Sequence, residues 1–346
     1  MLKIVVPYLK HNKDYTLNDK TTGGVEQFVK LIYYHLPYHI HMFYYDIDES
    51  RKNVINRLVN FIEEVGADLV IANKEGKTQT ISILDKIKIP ILLIAHTNGG
   101  SISKINHISI YNELKNRGGK VAMVSKNQYR IINEMSTRIF KQTLVDISFI
   151  NPSFSLGDEY VSDTQIDIIT IGRANKTKNP FLLNKMANDL NGYILTSNED
   201  LSKNDIEYHD KHKSATNIIY NLTHSETMNW LSKSGTYFST CSSESWGITA
   251  MEAFLHGVPV ILIRNGENKG IHSSEEIAPS PHFYSTFNGR YKEDFIWAYN
   301  KIKNIDRLEL SQMAKEMHSK EKWVANFNKL IEETLDCHNN KKIYLI

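Results

Sequence analysis

Two glutamates eight positions apart carry the densest chemistry in the chain. Glu244 and Glu252 bracket the small-residue turn Ser245-Trp246-Gly247-Ile248-Thr249, which runs into the apolar stretch Ala250-Met251 and then Ala253-Phe254-Leu255. Gly247 followed by Ile248 and Thr249 reads as a helix start. The first N–H groups of a helix lack intrahelical partners, so they offer an anion a binding end. Carboxylates would repel phosphates held there, but they accept hydrogen bonds from hydroxyls. The combination suits a ligand with phosphates at one end and sugar hydroxyls at the other. An isolated E-x7-E spacing is common, and its plainer account is an amphipathic helix with two solvated glutamates. The flanks argue for the site: Phe238 precedes it, and His256-Gly257-Val258-Pro259-Val260-Ile261-Leu262-Ile263 follows, giving strand, loop, helix, glycine stop and strand.

A second motif lies upstream. Ile166-Asp167-Ile168-Ile169-Thr170-Ile171 is an apolar strand ending in Gly172-Arg173, and Lys178 follows five residues after the arginine. With Glu244 and Glu252 further along, this set resembles the large family of retaining GT-B glycosyltransferases often called family 4. The resemblance implies that Arg173 and Lys178 hold a donor's pyrophosphate, a task suited to one planar guanidinium and one ammonium. It places Gly247, Ile248 and Thr249 at the same phosphates, Glu252 on the ribose and Glu244 on the transferred sugar. It further implies an α/β fold of two Rossmann-like parallel-sheet domains facing across a cleft. A UDP-sugar would be the donor substrate, with no enzyme nucleophile, no cofactor and no metal. One departure stands out: where many members carry glycine after the lysine, this chain has Asn179-Pro180.

The elements that must position these residues follow an alternating pattern. Strands are expected near Lys3 to Pro7, Ile40 to Tyr45, Leu69 to Ala72, Ile91 to Ala95 and Val121 to Val124. Helices are expected near Val25 to Tyr34, Val54 to Val65, Thr80 to Ile87 and Gln128 to Met135. Apolar strands alternating with helices predict parallel sheets covered on both faces, with ligands beyond the carboxyl ends of the strands. A chain of 346 residues exceeds the size at which one core keeps growing, so two units are expected. The crossing falls in Asn151 to Asp158. We place an N-terminal acceptor-side domain at 1–155 and a donor domain at 156–320. By the resemblance, the terminal helix over about 321–346 packs back on the first domain.

Composition is that of an ordinary globular protein, 41% hydrophobic and 23% charged, which excludes large-scale disorder. Cys241 and Cys337 are the two cysteines, too far apart in sequence for a zinc motif and too few for a disulfide framework. Reduced thiols point to the cytoplasm, the host's if the chain is phage-encoded. No apolar run approaches the length of a membrane span, and Met1 to Tyr8 is too short for a signal peptide.

In the first half, Thr21-Thr22-Gly23-Gly24 opens a helix, and paired glycines let a backbone approach a phosphate or sugar closely. A plain turn explains them equally well alone; family members often carry such a pair facing the donor. His96 follows the strand Ile91 to Ala95, and a histidine there can relay an acceptor hydroxyl's proton near neutral pH. A structural histidine at a strand end is the alternative. Asp46-Ile47-Asp48 has the pattern of a metal-binding Asp-x-Asp, but its place in the first half marks it as surface charge.

The net charge of +2 conceals an asymmetry: residues 1–150 hold 20 Lys and Arg against 14 Asp and Glu. The excess lies in Lys104, Lys115, Arg117, Lys120, Lys126, Arg130, Arg138 and Lys141, opposed within that segment by Glu113 and Glu134. A basic face beside a cleft suits a polyanion such as DNA, and a solvated helical surface is the alternative. Thr227 to Gly235 and Ile171-Gly172-Arg173 are also similar to stretches of the phage DNA α-glucosyltransferases. That resemblance implies transfer from a UDP-sugar to 5-hydroxymethylcytosine in double-stranded DNA, with Lys104, Lys115, Arg117, Lys120, Lys126 and Arg130 on its phosphates. Other readings are transfer to a cell-surface polysaccharide or lipid-linked saccharide, a sugar-nucleotide epimerase, and a non-catalytic nucleotide-sugar binding module.

Overall fold

The computed structural model describes residues 1–10, 24–46, 49–73, 86–96, 101–197, 202–212, 217–242, 244–264 and 272–343. Gly23, Asp48, most of the helix expected near Thr80 to Ile87 and part of each of the loops 9–20 and 265–290 lie outside the described residues. The chain divides into two compact units, one of Met1–Ser153 with Glu321–Ile346 and one of Phe154–Lys320.

The first unit runs β1 (Lys3–Lys10), α1 (Gly24–His35), β2 (His39–Asp46), α2 (Arg51–Val65), β3 (Leu69–Ala72), β4 (Ile91–Ala95), α3 (Ser101–Asn116), β5 (Lys120–Met123), α4 (Lys126–Phe140) and β6 (Ile147–Phe149). Its six-stranded sheet has the order β2-β1-β3-β4-β5-β6, and the pairs are parallel. β3 and β4 are buried at every position, as a sheet covered on both faces requires. α2 shows how local chemistry sets an element's limits. Ser50 caps its start by accepting from Asn53 N, and Gly66 ends it with φ 60°, a conformation that costs glycine nothing. α3 has no clear signature in the sequence, since its segment reads as polar; in the fold Ile108, Ile110, Tyr111 and Leu114 are all buried.

The second unit contains β7 (Ile168–Ile171), α5 (Leu182–Met186), β8 (Gly192–Thr196), α6 (Lys203–His212), β9 (Ile218–Tyr220), α7 (His224–Ser232), β10 (Tyr237–Ser239), α8 (Ile248–Leu255), β11 (Val260–Ile263), β12 (Tyr284–Phe287), α9 (Lys292–Ile302) and α10 (Arg307–Met317). The order β12-β11-β10-β7-β8-β9, again parallel, is that of a doubly wound sheet. Connections leave in opposite directions from β7 and β10, so a crevice opens beyond the carboxyl ends of those two strands. The last helix, α11 (Lys320–Ile343), returns to the first unit. There Trp323 and Phe327 pack on Phe28 at 6.4 and 5.9 Å between ring centres, and Trp323 Nε1 donates to Asn151 O at 2.8 Å.

Arg307 fastens the second unit. Its guanidinium donates to Gly257 O at 2.9 Å, Ser162 O at 2.7 Å and Ser232 O at 2.6 Å, with Thr164 Oγ1 at 3.0 Å and His256 O at 3.4 Å. Ser232 ends α7, and His256 and Gly257 follow α8. The cation therefore satisfies last-turn carbonyls of two helices and faces the negative end of both dipoles.

Candidate functional site

Both sequence motifs converge on the crevice between β7 and β10. Gly172 and Arg173 follow β7, with Arg173 exposed. Lys178 packs back against Gly172, where an added Cβ would stand in ordinary contact with Lys178 Cβ at 3.4 Å. The lysine's loop is fastened on both sides. Lys178 N donates to Asn175 Oδ1 at 2.8 Å, Thr240 Oγ1 donates to Lys178 O at 2.6 Å, and Ser242 N donates to Thr177 O at 3.1 Å. Asn179, the departure from the family pattern, adopts φ 44°. Asparagine tolerates this left-handed conformation better than other residues with a side chain, and Tyr208 OH anchors it by donating to Asn179 Oδ1 at 2.5 Å. Asn179 thus holds a left-handed turn that glycine would also accept.

Lys178 Nζ lies 2.9 Å from Glu244 Oε2, a pair joining residues 66 apart in sequence. Glu244's charge raises the Lys178 ammonium above its ordinary range. Burial pushes the Glu244 carboxyl up, but Lys178, His272 and a hydrogen bond from the Cys241 thiol outweigh it and hold the carboxyl below its ordinary value. His272 beside them is fully buried, and that burial lowers its imidazole to about 4. At neutral pH the pair is therefore an ammonium and a carboxylate, with a neutral histidine behind it.

Gly247 precedes α8 with φ 99° and ψ 58° and provides no side-chain cap. Its missing side chain matters twice, since the φ is left-handed and a Cβ would overlap Ser274 Oγ. Ile248 and Thr249 open the helix half-buried, and the glycine at the cap position brings no side chain to their N–H groups. Glu252 sits one turn along, its side chain 19% exposed and its Oε1 3.5 Å from His224 Nε2. Burial, with the charge of Glu159 adding to it, pushes the Glu252 carboxyl up to about 8, while burial lowers His224. Both groups are predominantly neutral at pH 7. The ionised carboxylate expected from the sequence is thus a protonated, buried carboxyl at neutral pH.

In the first unit, Gly24 opens α1. His96 follows β4, is 8% exposed and lies edge-on to Phe28 at 4.7 Å. The basic segment does not form one face. Lys104 and Lys126 begin α3 and α4, which leave the carboxyl ends of β4 and β5, and Arg130 is one turn further on. Lys115, Arg117 and Lys120 lie where the chain enters the amino end of β5, and Arg138 and Lys141 end α4, about 20 Å of helix from its start. Carboxylates also meet the cations: Lys115 pairs with Asp146 at 2.6 Å, Arg117 with Glu113 at 2.6 Å, Arg130 with Glu134 at 2.8 Å, and Lys120 with Glu333. Asp146 and Glu333 lie outside the segment, so its sequence alone overstates the excess charge. Among the described residues no group of three His, Cys, Asp or Glu side chains is placed to hold a metal ion. No helix there is long and apolar enough to cross a membrane.

No protein-family model and no curated protein matches the sequence. Solved structures do. The chain is similar to sucrose-phosphate synthase from Thermosynechococcus elongatus, at 12% identity and TM-score 0.67 over 100% of this chain and 99% of that one. It is similar to Anabaena HepE, solved in complex with UDP and glucose, at 12% identity and TM-score 0.68 over 96% and 100%. Staphylococcus aureus TarM, solved with UDP and α-GlcNAc-glycerol, matches at 14% identity and TM-score 0.59 over 80% of this chain, which spans 58% of TarM. The fold is therefore GT-B, two Rossmann-like units of parallel sheet.

Proposed function

We propose that the protein is a retaining glycosyltransferase that moves a sugar from a UDP-sugar to a hydroxyl acceptor. The observation carrying this reading is the Lys178–Glu244 pair beside the glycine-led start of α8. It brings together a cation suited to phosphate, a carboxylate suited to hydroxyls and the start of a helix at one strand crevice. Arg173, Lys178 and the N–H groups after Gly247 hold the diphosphate, Glu252 takes the ribose hydroxyls, and Glu244 takes a hydroxyl of the transferred sugar. The acceptor oxygen bonds to the anomeric carbon on the face from which the diphosphate leaves, and the acceptor's proton passes to that leaving phosphate. The cations and helix end stabilise the charge gained as the glycosidic bond to phosphate breaks. The reaction needs no metal, so transfer persists in chelator.

For the acceptor we favour a saccharide or glycoside hydroxyl over 5-hydroxymethylcytosine. A DNA-binding role would ask the basic segment to act as one surface, whereas its cations divide between the two ends of the sheet, and Lys115, Arg117, Lys120 and Arg130 carry carboxylate partners. His96 is the acceptor-side residue of this reading. The test is release of UDP from a panel of UDP-sugars with saccharide acceptors and with duplex DNA containing cytosine or 5-hydroxymethylcytosine, followed by mass analysis of the products. A sugar-sized mass gain on a saccharide supports the proposal. A gain confined to hydroxymethylcytosine overturns the acceptor, and absence of both donor turnover and UDP binding overturns the donor site.

A further inference from the structure

The stretch between β11 and β12 holds the donor loop from behind. Residues Ser273–Glu275 form a single 3-10 turn, and its two serines are fully buried. Ser273 Oγ donates to Glu244 O at 2.6 Å, and Ser274 Oγ donates to Trp246 O at 3.3 Å. Ser274 Oγ also occupies the space a side chain at Gly247 would need. The turn therefore touches the backbone on each side of the bend that aims the Glu244 carboxylate one way and the first N–H groups of α8 another.

The turn is itself clamped. His272 Nδ1 accepts from Ser274 N at 3.1 Å, and Glu275 Oε1 accepts from His272 N at 2.7 Å. Arg264, the residue after β11, grips the Glu275 carboxylate with two parallel bonds, Nε to Oε1 at 2.9 Å and Nη2 to Oε2 at 2.5 Å. Tyr284 OH donates to the same carboxylate at 3.2 Å. Bidentate guanidinium–carboxylate contacts fix orientation as well as distance, so the rigid end of β11 sets the turn, and the turn sets the loop.

We infer that Arg264 and Glu275 are positioning residues for the donor site: acting through Ser273 and Ser274, they hold Glu244 and the backbone at Gly247 in the geometry that receives a nucleoside diphosphate. This inference rests on the donor-site reading above. Neither residue is assigned contact with the ligand, so their effect is expected on affinity per folded molecule rather than on a ligand bond.

The experiment is calorimetric titration of UDP into wild type, Arg264→Met, Arg264→Lys, Glu275→Gln and Ser273→Ala, each held well below its own thermal midpoint and confirmed folded by circular dichroism. UDP affinity falls about tenfold in Arg264→Met and Glu275→Gln, the loss of a charged hydrogen bond transmitted to the site. Arg264→Lys, which keeps one charged bond to Glu275, recovers part of the loss. Ser273→Ala removes a single buried hydroxyl and weakens UDP in the same direction, which keeps the inference testable where the charge variants do not fold. Folded variants that bind UDP within about twofold of wild type leave the clamp a packing feature and overturn the inference while the donor site stands. Wild type that binds no UDP overturns the donor-site reading and this inference with it.

Discussion

On the proposed role of Glu252 at the ribose, donor binding is linked to a proton, and the size of the linkage follows from the surroundings of that carboxyl. With its carboxyl raised to about 8, roughly one-tenth is ionised at pH 7 and nine-tenths at pH 9. If the ionised form receives the ribose hydroxyls, affinity for a UDP-sugar rises about tenfold between these pH values, because affinity scales with the competent fraction. A UDP-sugar has no phosphate ionisation in that window. Lys178 titrates above it, and His272 and His224 are shifted below their ordinary range. The assay is calorimetry across pH 7 to 9 in buffers of differing ionisation enthalpy, which also counts the proton released on binding. Glu252→Gln flattens the profile and lowers affinity at pH 9. A flat wild-type profile, or an equal slope in the variant, refutes the reasoning. Stability runs the other way. The native state retains this proton longer than the unfolded chain does, so the protein loses stability as pH rises from 4.5 to about 8. That rise corresponds to about 5 kcal/mol at most, at about 1.4 kcal/mol per pH unit.

Three further positions probe the scaffold. Gly247→Ala places a side chain on a left-handed residue and against Ser274 Oγ, so it lowers stability by about 1 to 3 kcal/mol and abolishes UDP binding; a denaturant midpoint and a UDP titration read both effects. Arg307→Met strips the charge from carbonyls at two helix ends and costs about 2 to 4 kcal/mol, read as a lowered thermal midpoint. Asn179→Gly preserves UDP affinity within about twofold because glycine accepts its φ of 44°, whereas Asn179→Val, which strains that turn, weakens UDP and lowers the thermal midpoint.

What could be read from the sequence was what is local or fixed in spacing. β3 and β4 fall at the expected residues, because an apolar run buried on both faces leaves no choice of face or register. The glycine at 247 marks the start of α8. The meeting of Lys178 with Glu244 follows from the resemblance rather than from any periodicity. α3 is hard to read because its buried positions Ile108, Ile110, Tyr111 and Leu114 sit among polar neighbours such as Asn106, Ser109 and Asn112 and make no clean stripe. The partners of the basic segment are equally hidden, since Asp146 and Glu333 meet Lys115 and Lys120 only through folding. The clamp from Arg264 to Glu244 has no sequence signal at all: it depends on where a turn from one connection comes to rest against another.

The return of α11 to the first unit has a consequence for synthesis. The second unit is one uninterrupted stretch, Phe154–Lys320, whereas the first is completed by Glu321–Ile346. A ribosome adding about 5 to 20 residues per second therefore finishes everything the second unit needs while the first still lacks Trp323 and Phe327, the aromatic rings that cover Phe28. For roughly ten to thirty seconds the earliest-made part of the nascent chain presents an unfinished apolar surface. The unit encoded first matures last, and that interval is when a chaperone has most to bind.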